Sequence, residues 1–471
     1  MKSKSLNNFI KNMSYSILSN SLHMIISVFM VIFLPHFFSI NDYGMWQLYL
    51  FYISFSGFIP LGWLDGIYLR YGGEFYNTLD KSVFNTQFYS LLLYTIVFNA
   101  ALLVYFYYYQ LGGKFYYILY FLCLVSTLRI LTGYFKLLLQ AVNRIKDFAK
   151  IMIVEQITFF IGVIIIIFLG LTDYKKLLQV DLFSKILTVF FAIYICMDIF
   201  SLKFTSLKNN LKEIALNIQV GSKLMLANIA SMLILGIVRF GISQGWDIAT
   251  FGKVSLTLSV SNFMMVFISA ISVIMFPVLK RIDQNKLADI YIILRTGLSI
   301  ILLGMLTSYY PIKTALLVWL PKYADGLKYM AILFPICLFE SKMSLLINTY
   351  LKSLRQEKLM LQINWVAVSL SLLLTYITVF VMHDLNLAVL SIVAVFAFRC
   401  ILAEYFMGGL LNLKLLKDIV LEIALVILFI LTSWFIDSWW CLVIYACGYI
   451  GYLVTKKQDV KKVFQLIKKV I

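Results

Sequence analysis

Apolar residues dominate this chain in long stretches, and polar residues collect in short segments between them. A helix needs roughly 20 mostly apolar residues to cross the hydrocarbon core of a bilayer, where its backbone groups must be paired within the helix. Fourteen stretches approach or exceed that length. They predict an all-α, polytopic integral membrane protein with spans at about 15–35, 45–64, 84–108, 115–135, 151–170, 178–200, 221–243, 252–278, 289–309, 327–350, 359–381, 386–407, 419–436 and 438–455.

Basic residues fall almost entirely on one side of this predicted topology. Of the 40 lysines and arginines, 27 lie in the termini and alternate loops on one side, and 6 lie in the loops on the other. Cytoplasmic loops of membrane proteins carry the excess of Lys and Arg. The pattern therefore predicts an even number of spans, with the N-terminus and the C-terminus in the cytoplasm.

Composition narrows the function classes further. The 471 residues are 62% hydrophobic, 13% charged and carry a net charge of +18. Because the basic residues follow the membrane topology, we interpret the charge as a positive-inside signal and expect no nucleic-acid partner. The chain has no Gly-rich phosphate loop, metal-spaced His/Cys cluster or nucleophile elbow. We therefore expect no enzyme, no cofactor and no metal site.

A weak internal repeat predicts the domain organisation. Residues 43–48, YGMWQL, open the second span, and residues 251–256, FGKVSL, open the eighth. Six helices are an even number, so the two halves would enter the membrane in the same direction, as parallel repeats with the substrate path between them. The predicted parts are an N-terminal six-helix lobe 1–200, a cytoplasmic linker 201–220, a C-terminal six-helix lobe 221–408, two extra helices 419–455 and a basic amphipathic cytoplasmic tail 456–471.

Cations inside the spans are the main candidates for a site. A charge at bilayer depth is costly and usually faces a cavity or a partner. The interior holds more cations than acids, which favours an anionic substrate group such as a diphosphate. An arginine fork binds phosphate oxygens through two donors. The predicted anion-binding residues are Arg129, Arg239, Arg295 and Lys342.

For other charged residues, the sequence supports a structural role as well as it supports a role in the site. Arg399 and Glu404 either neutralise each other, reach the cytoplasmic interface or line the site. Lys185 has Asp181 one turn away, which predicts a structural ion pair. His23 in the first span serves either as a proton relay or in an interhelical hydrogen bond. The secondary candidates for the site are Arg70, Lys253, Arg399, Glu155, Glu340 and His23.

Several segments together resemble one known family. They are NDYGMWQ (41–47), LGWLDGIYLRYGGE (61–74), LLLQAVNRIKDFAKI (137–151), GSKLMLANIASMLILGIVRFGIS (221–243), FGKVSLTLSVSNF (251–263), FPVLKR (276–281) and LPKYADGLKYMAILFPICLFESKMSLLINTYLKS (320–353). In order and spacing, over most of residues 10–410, they resemble the polysaccharide flippases of the multidrug/oligosaccharidyl-lipid/polysaccharide (MOP) exporter superfamily. Such relatives serve O-antigen, capsule and exopolysaccharide assembly.

The resemblance implies two six-helix bundles facing each other across a central cavity, in a bacterial plasma membrane. It implies an undecaprenyl-diphosphate-linked oligosaccharide substrate, moved from the cytoplasmic to the outer leaflet by alternating access. Membrane lipids, a polysaccharide polymerase and chain-length machinery are the implied partners. This chain departs from its relatives at Val238, where they often carry an acid before the Arg-Phe pair.

Two other function classes remain as alternatives. One is a cation-coupled multidrug antiporter of the same superfamily, which needs a buried carboxylate in the first helices, and the first span has none. The other is an integral-membrane polysaccharide polymerase or acyltransferase. Such enzymes usually need a long outer loop or clustered His, Asp and Arg, whereas the outer loop around 309–323 is apolar and aromatic.

Overall fold

The computed structural model of the chain is helical throughout the residues that it describes. These are residues 2–109, 115–200, 204–262, 287–436, 438–457, 459 and 461, without the side chains of residues 2–18 and 357. The chain divides into two compact units, unit 1 at Met1–Ile229 and unit 2 at Ala230–Ile471.

Unit 1 is built from α-helices of different lengths. They are α1 (Lys2–Phe37), α2 (Ile40–Ser54), α3 (Trp63–Arg70), α4 (Lys81–Tyr108), α5 (Tyr116–Ala141), α6 (Ile145–Phe168), α7 (Tyr174–Ile195) and the first part of α8 (Leu207–Gly245).

Unit 2 takes the rest of α8 and the remaining helices. They are α9 (248–262), α10 (Leu287–Met305), α11 (Tyr309–Trp319), α12 (Ala324–Leu327), α13 (Met330–Leu333), α14 (Ile336–Ser341), α15 (Asn348–Ser353), α16 (Glu357–Thr375), α17 (Leu385–Leu411), α18 (Leu416–Phe435) and α19 (Trp440–Thr455). Two π-helical segments, Lys342–Ile347 and Tyr376–Val381, lie before α15 and after α16.

The helices confirm a polytopic membrane protein. Within the described residues, 11 helices are long and apolar enough to cross a membrane, or 12 if the bent pair in the second span counts as one. A further apolar helix, α19, matches the last predicted span but has only 16 residues. The predicted span 252–278 is helical up to residue 262, and the rest of it lies outside the described residues.

Polar residues at the predicted loops start several of these helices. Ser39 and Asp80 accept hydrogen bonds from backbone N–H groups in the first turns of α2 and α4. Asp173 does the same for α7, and the Asp384 carboxylate accepts from two N–H groups at the start of α17. These N-caps satisfy donors that the helix itself leaves unpaired, which fixes where each span begins.

The second span is broken rather than continuous. Its two parts, Ile40–Phe58 and Trp63–Arg70, meet at an angle of 56°. Pro60 lacks a backbone N–H group, and Leu61 and Gly62 follow with φ of 55° and 86°. The left-handed backbone at these two positions ends one helical segment and turns the chain into the next.

The helix α8 runs across the division between the units. The predicted linker, 201–220, is helical from Leu207 onward, because α8 begins there and continues without interruption to Gly245. The predicted lobe boundaries stay a prediction. The basic tail predicted at 456–471 lies outside the described residues, apart from residues 456, 457, 459 and 461.

Each unit has its own core. In unit 1, aromatic and aliphatic side chains of α3, α4 and α5 pack together around Phe88, Tyr134 and Phe135. In unit 2, the span Met330–Ser353 is the central one, since 89% of its most apolar window is buried. Lys342 on this central span is only 3% exposed, so its charge is shielded from lipid and water by neighbouring helices.

Candidate functional site

Arg129 is the predicted site residue in unit 1, and it lies at the middle of α5. Its side chain is exposed, and its guanidinium donates a long hydrogen bond of 3.4 Å to the carbonyl of Ile53. Among the described residues, no carboxylate comes within ion-pair distance of Arg129. A cation at this depth without a counter-ion is available to an anionic ligand.

The lysines nearest to Arg129 are already neutralised. The Glu155 carboxylate on α6 binds the ammonium groups of both Lys136 on α5 and Lys185 on α7, the latter at 2.5 Å. Asp181 lies 3.7 Å from Lys185, so the predicted ion pair between these residues is confirmed. Two carboxylates thus balance two lysines, and the positive charge of Arg129 is left over.

A cavity of about 260 Å³ opens in unit 1 among α1, α2, α6 and α7. His23, Gln47 and Gln156 contribute polar groups to its lining, together with Glu155, Asp181 and Lys185. The Asp181 carboxylate also accepts a hydrogen bond of 2.5 Å from the Tyr49 hydroxyl. The secondary candidates His23 and Glu155 therefore share one cavity, which is lined by apolar side chains elsewhere.

Arg239 is the predicted site residue on the unit 2 part of α8. Its side chain is half-buried, donates a hydrogen bond of 3.2 Å to the Ser255 hydroxyl on α9, and lies 5.5 Å from the centre of the Phe251 ring. The neighbouring Val238 is buried. This position therefore contributes packing and brings no charge to Arg239.

Arg295 and Lys342, the other two predicted anion ligands, lie together in unit 2 with two carboxylates. Arg295 is 2.8 Å from Glu404 and 3.0 Å from Glu422. Lys342 is 2.5 Å from Glu404 and 2.6 Å from Glu422. We name these four residues the charge ring. Its side chains are between 1% and 5% exposed, and its two positive charges equal its two negative charges.

Arg399 belongs to a separate buried group in unit 2. Its guanidinium donates to Glu340 and to the Asn364 side chain at 2.9 Å each, and to the Ser231 hydroxyl at 3.3 Å. Among the three readings of Arg399 and Glu404, mutual neutralisation does not fit this geometry, because Glu404 is in the charge ring and Glu340 is the acid beside Arg399. These bonds join Arg399 on α17 to α8, α14 and α16.

The remaining secondary candidates form ion pairs outside these groups. Arg70 is 2.8 Å from Glu213 and donates to the Asn217 side chain at 2.7 Å. Lys253 is 3.3 Å from Asp325, whose side chain is 91% exposed.

Glu422 is the member of the charge ring that our sequence reasoning missed. It lies near the N-terminal end of the predicted span 419–436, and an acid within an apolar span was the available signal. Among the described residues, no group of three or more His, Cys, Asp or Glu side chains has an arrangement suited to a metal ion.

Comparisons by sequence and by structure give different results. No protein-family model and no curated protein matches the sequence. Solved structures do match the fold, and two of them have TM-scores above 0.6. One is the lipid II flippase MurJ in an inward-closed conformation, with a TM-score of 0.65 and 14% identity over 96% of this chain and 100% of that chain.

The second is an inward-facing multidrug-resistance transporter of the MATE family in the MOP superfamily. Its TM-score is 0.61, with 13% identity over 85% of this chain and 99% of that chain. Both similarities extend over nearly the whole of the solved chains. This chain therefore has the fold that these two transporters share.

Proposed function

We propose that the protein is a flippase for lipid-linked oligosaccharides. It would move undecaprenyl-diphosphate-linked repeat units from the cytoplasmic to the outer leaflet of a bacterial plasma membrane, by alternating access. The fold shared with the lipid II flippase supports a transporter of a large lipid-linked substrate. The single observation that carries the anionic part of the proposal is Arg129, an intramembrane cation without a carboxylate partner among the described residues.

We assign the diphosphate group to Arg129 of unit 1, and we keep Arg239 of unit 2 as a separate candidate for binding an anionic group. A guanidinium presents parallel donors that match two phosphate oxygens. The Ser255 hydroxyl accepts one hydrogen bond from Arg239 and orients this side chain. Arg295 and Lys342 stay secondary in this proposal, because Glu404 and Glu422 already balance their charges. An anion entering the charge ring would have to displace a buried carboxylate.

The membrane potential gives the proposed transport its direction. Moving one negative charge outward across an inside-negative membrane is favourable by about 2.3 kcal/mol per 100 mV. A diphosphate group with at least one uncompensated charge would therefore be driven toward the outer leaflet. This driving force needs no bound cofactor.

The proposal is tested on lipid extracts from a strain depleted of this protein. Mass spectrometry would identify diphosphate-linked oligosaccharides, and leaflet-specific labelling would locate them. Complete, unpolymerised units that accumulate on the cytoplasmic leaflet are the expected result. Accumulation on the outer leaflet would instead indicate a polymerase, and unchanged lipids would contradict both.

A multidrug antiporter is the second candidate. The similarity to the MATE-family structure favours it, as does the unit 1 cavity with Glu155 and Asp181 in its lining. Against it, residues 19–37 of α1 carry no Asp or Glu. If the protein is an antiporter, its depletion would leave lipid-linked oligosaccharides unchanged and would make the cell more sensitive to cationic drugs.

A further inference from the structure

The two cations of the charge ring are not balanced by the helices that precede α18. Arg295 lies on α10 and Lys342 follows α14 on the central span of unit 2. Among the described residues from 230 to 411, Glu404 on α17 is the one carboxylate that pairs with them. Without the last two helices, this buried group would hold two positive charges and one negative charge.

The helix α18 supplies the missing negative charge. Glu422 enters the ring from α18 and binds both the Arg295 guanidinium and the Lys342 ammonium. Its side chain is 5% exposed, so solvent does little to screen these contacts. An uncompensated charge in such a site is strongly destabilising, whereas a balanced set with good hydrogen bonds is tolerated.

The helices α18 and α19 contact the rest of unit 2 at two further places. Asp418, one turn before Glu422, lies 3.5 Å from Arg295 and 2.6 Å from Lys456, the residue that follows α19. On α19, the hydroxyls of Tyr445 and Tyr449 donate hydrogen bonds of 2.8 Å to the carbonyls of Leu303 and Ile300. The two tyrosine hydrogen bonds hold α19 against α10. Asp418 links Arg295 of the charge ring to Lys456 at the end of α19.

We infer that α18 and α19 are a required part of unit 2, because α18 provides the counter-charge that completes the charge ring. The pair is thus an electrostatic component of the unit and not an addition to a finished six-helix lobe. The inference concerns assembly and stability, and it holds whichever substrate the protein carries. It follows that unit 2 is complete only after residue 422 has entered the membrane.

Paired substitutions separate this inference from simple apolar packing. Glu422→Gln leaves the ring with one excess positive charge, and Lys342→Met leaves it with one excess negative charge. The double variant keeps Arg295 and Glu404, so the positive and negative charges of the ring are equal again. Packing alone predicts that the two losses add, whereas charge completion predicts that the second substitution repairs the first.

The first measurement is the apparent melting temperature of the full-length protein in detergent. We expect each single variant to melt roughly 10 °C lower than the parent, and the double variant to recover at least half of that loss. The control is Asp325→Asn, which removes a carboxylate from an exposed ion pair and is expected to leave the melting temperature unchanged.

The second measurement reports whether α18 and α19 stay docked. The residue Cys441 is 6% exposed, and its thiol donates a hydrogen bond to the carbonyl of Ser438. In a full-length chain with the other five cysteines changed to alanine, maleimide labelling of Cys441 should rise severalfold in Glu422→Gln and return toward the parent rate in the double variant. This labelling can be read in membranes, even if a single variant is too unstable to purify.

Two outcomes would overturn the inference. One is a Glu422→Gln variant whose melting temperature equals that of the Asp325→Asn control and whose Cys441 is labelled no faster than in the parent. The other is a double variant that is less stable than either single variant. A failure of the flippase proposal would leave both measurements unaffected, because neither depends on substrate.

Discussion

At the scale of single residues, charge balance distinguishes the interior arginines from one another. Arg129 and Arg295 are the same residue type within predicted spans, but Arg295 has two carboxylates within 3.0 Å. Arg129 has none among the described residues. A neutralised cation stabilises its surroundings, whereas an unneutralised one can bind a ligand. The first prediction rests on this difference.

Substitution of Arg129 by glutamine is expected to lower export of lipid-linked repeat units. A charge-assisted hydrogen bond contributes about 1.5–3 kcal/mol, so the transport rate should fall roughly ten- to a hundredfold. Arg129→Lys, which keeps the charge but loses the fork, should retain part of the activity. The melting temperature should stay close to that of the parent, because no ion pair is broken.

Lys212→Gln is the matched control, since it removes a cation from an exposed position on α8. It should export at the parent rate. Normal export by Arg129→Gln, at an equal protein level in the membrane, would contradict the assignment of Arg129 to the anion site. Export that falls only as the protein level falls would point to a structural role.

Substitution of Glu155 by glutamine is expected to act on stability. It removes the carboxylate that Lys136 and Lys185 share, and both lysines are mostly buried. The apparent melting temperature should fall by roughly 10 °C. Adding Lys136→Met should restore much of it, because Lys185 then keeps Asp181 as its partner. Equal melting of the single variant and the parent would show that the network contributes nothing.

At the scale of elements, glycines decide how α3 packs on α8. A Cβ atom on Gly66 would lie 1.9 Å from the Asn217 carbonyl oxygen, and one on Gly221 would lie 2.0 Å from the Gly62 carbonyl oxygen. Both neighbours are backbone atoms, which cannot rotate away. Arg70, bonded to Glu213 and Asn217, extends this contact along the same two helices.

Gly66→Ala is therefore expected to separate α3 from α8 and to reduce the amount of folded protein sharply. Gly57→Ala is the matched control in the same span. A Cβ atom added at Gly57 would have no atom within 4 Å, and the backbone φ of Gly57 is one that alanine adopts without strain. Size-exclusion profiles of the two variants, expressed in parallel, provide the measurement. Similar profiles for Gly66→Ala and the parent would mean that the close contact is not required.

At the scale of the whole molecule, the distribution of basic residues predicts the orientation in the membrane. The predicted outer side carries few lysines and arginines. The described residues hold 11 or 12 helices of membrane-spanning length and the shorter α19. An even number of spans returns the C-terminus to the side of the N-terminus. The orientation is independent of which residues bind substrate.

Reporter fusions test this orientation. A fluorescent protein that matures only in the cytoplasm should be fluorescent when fused after Ile471, and alkaline phosphatase at the same position should be inactive. Phosphatase inserted after Lys175, in a predicted outer loop, should be active. An active phosphatase at the C-terminus would mean an odd number of spans and would overturn the predicted topology.

The sequence predicted the fold more completely than the site. Apolar length located most spans, because crossing a bilayer depends on local composition. The break at Leu61–Gly62 was not predicted, although Pro60 and Gly62 carried the signal. The missed Glu422 lies 127 residues from Arg295, so their pairing depends on how distant helices pack.

By itself, the sequence determined that this is an all-α, multi-pass membrane protein, since hydropathy acts within each segment. It also supplied the set of interior cations. The tertiary structure alone decided which of them have partners: Glu404 and Glu422 come to Arg295 and Lys342 from other helices, while Arg129 keeps its charge unmatched among the described residues. The reason is physical, because charge neutralisation depends on distance in space and not on separation along the chain.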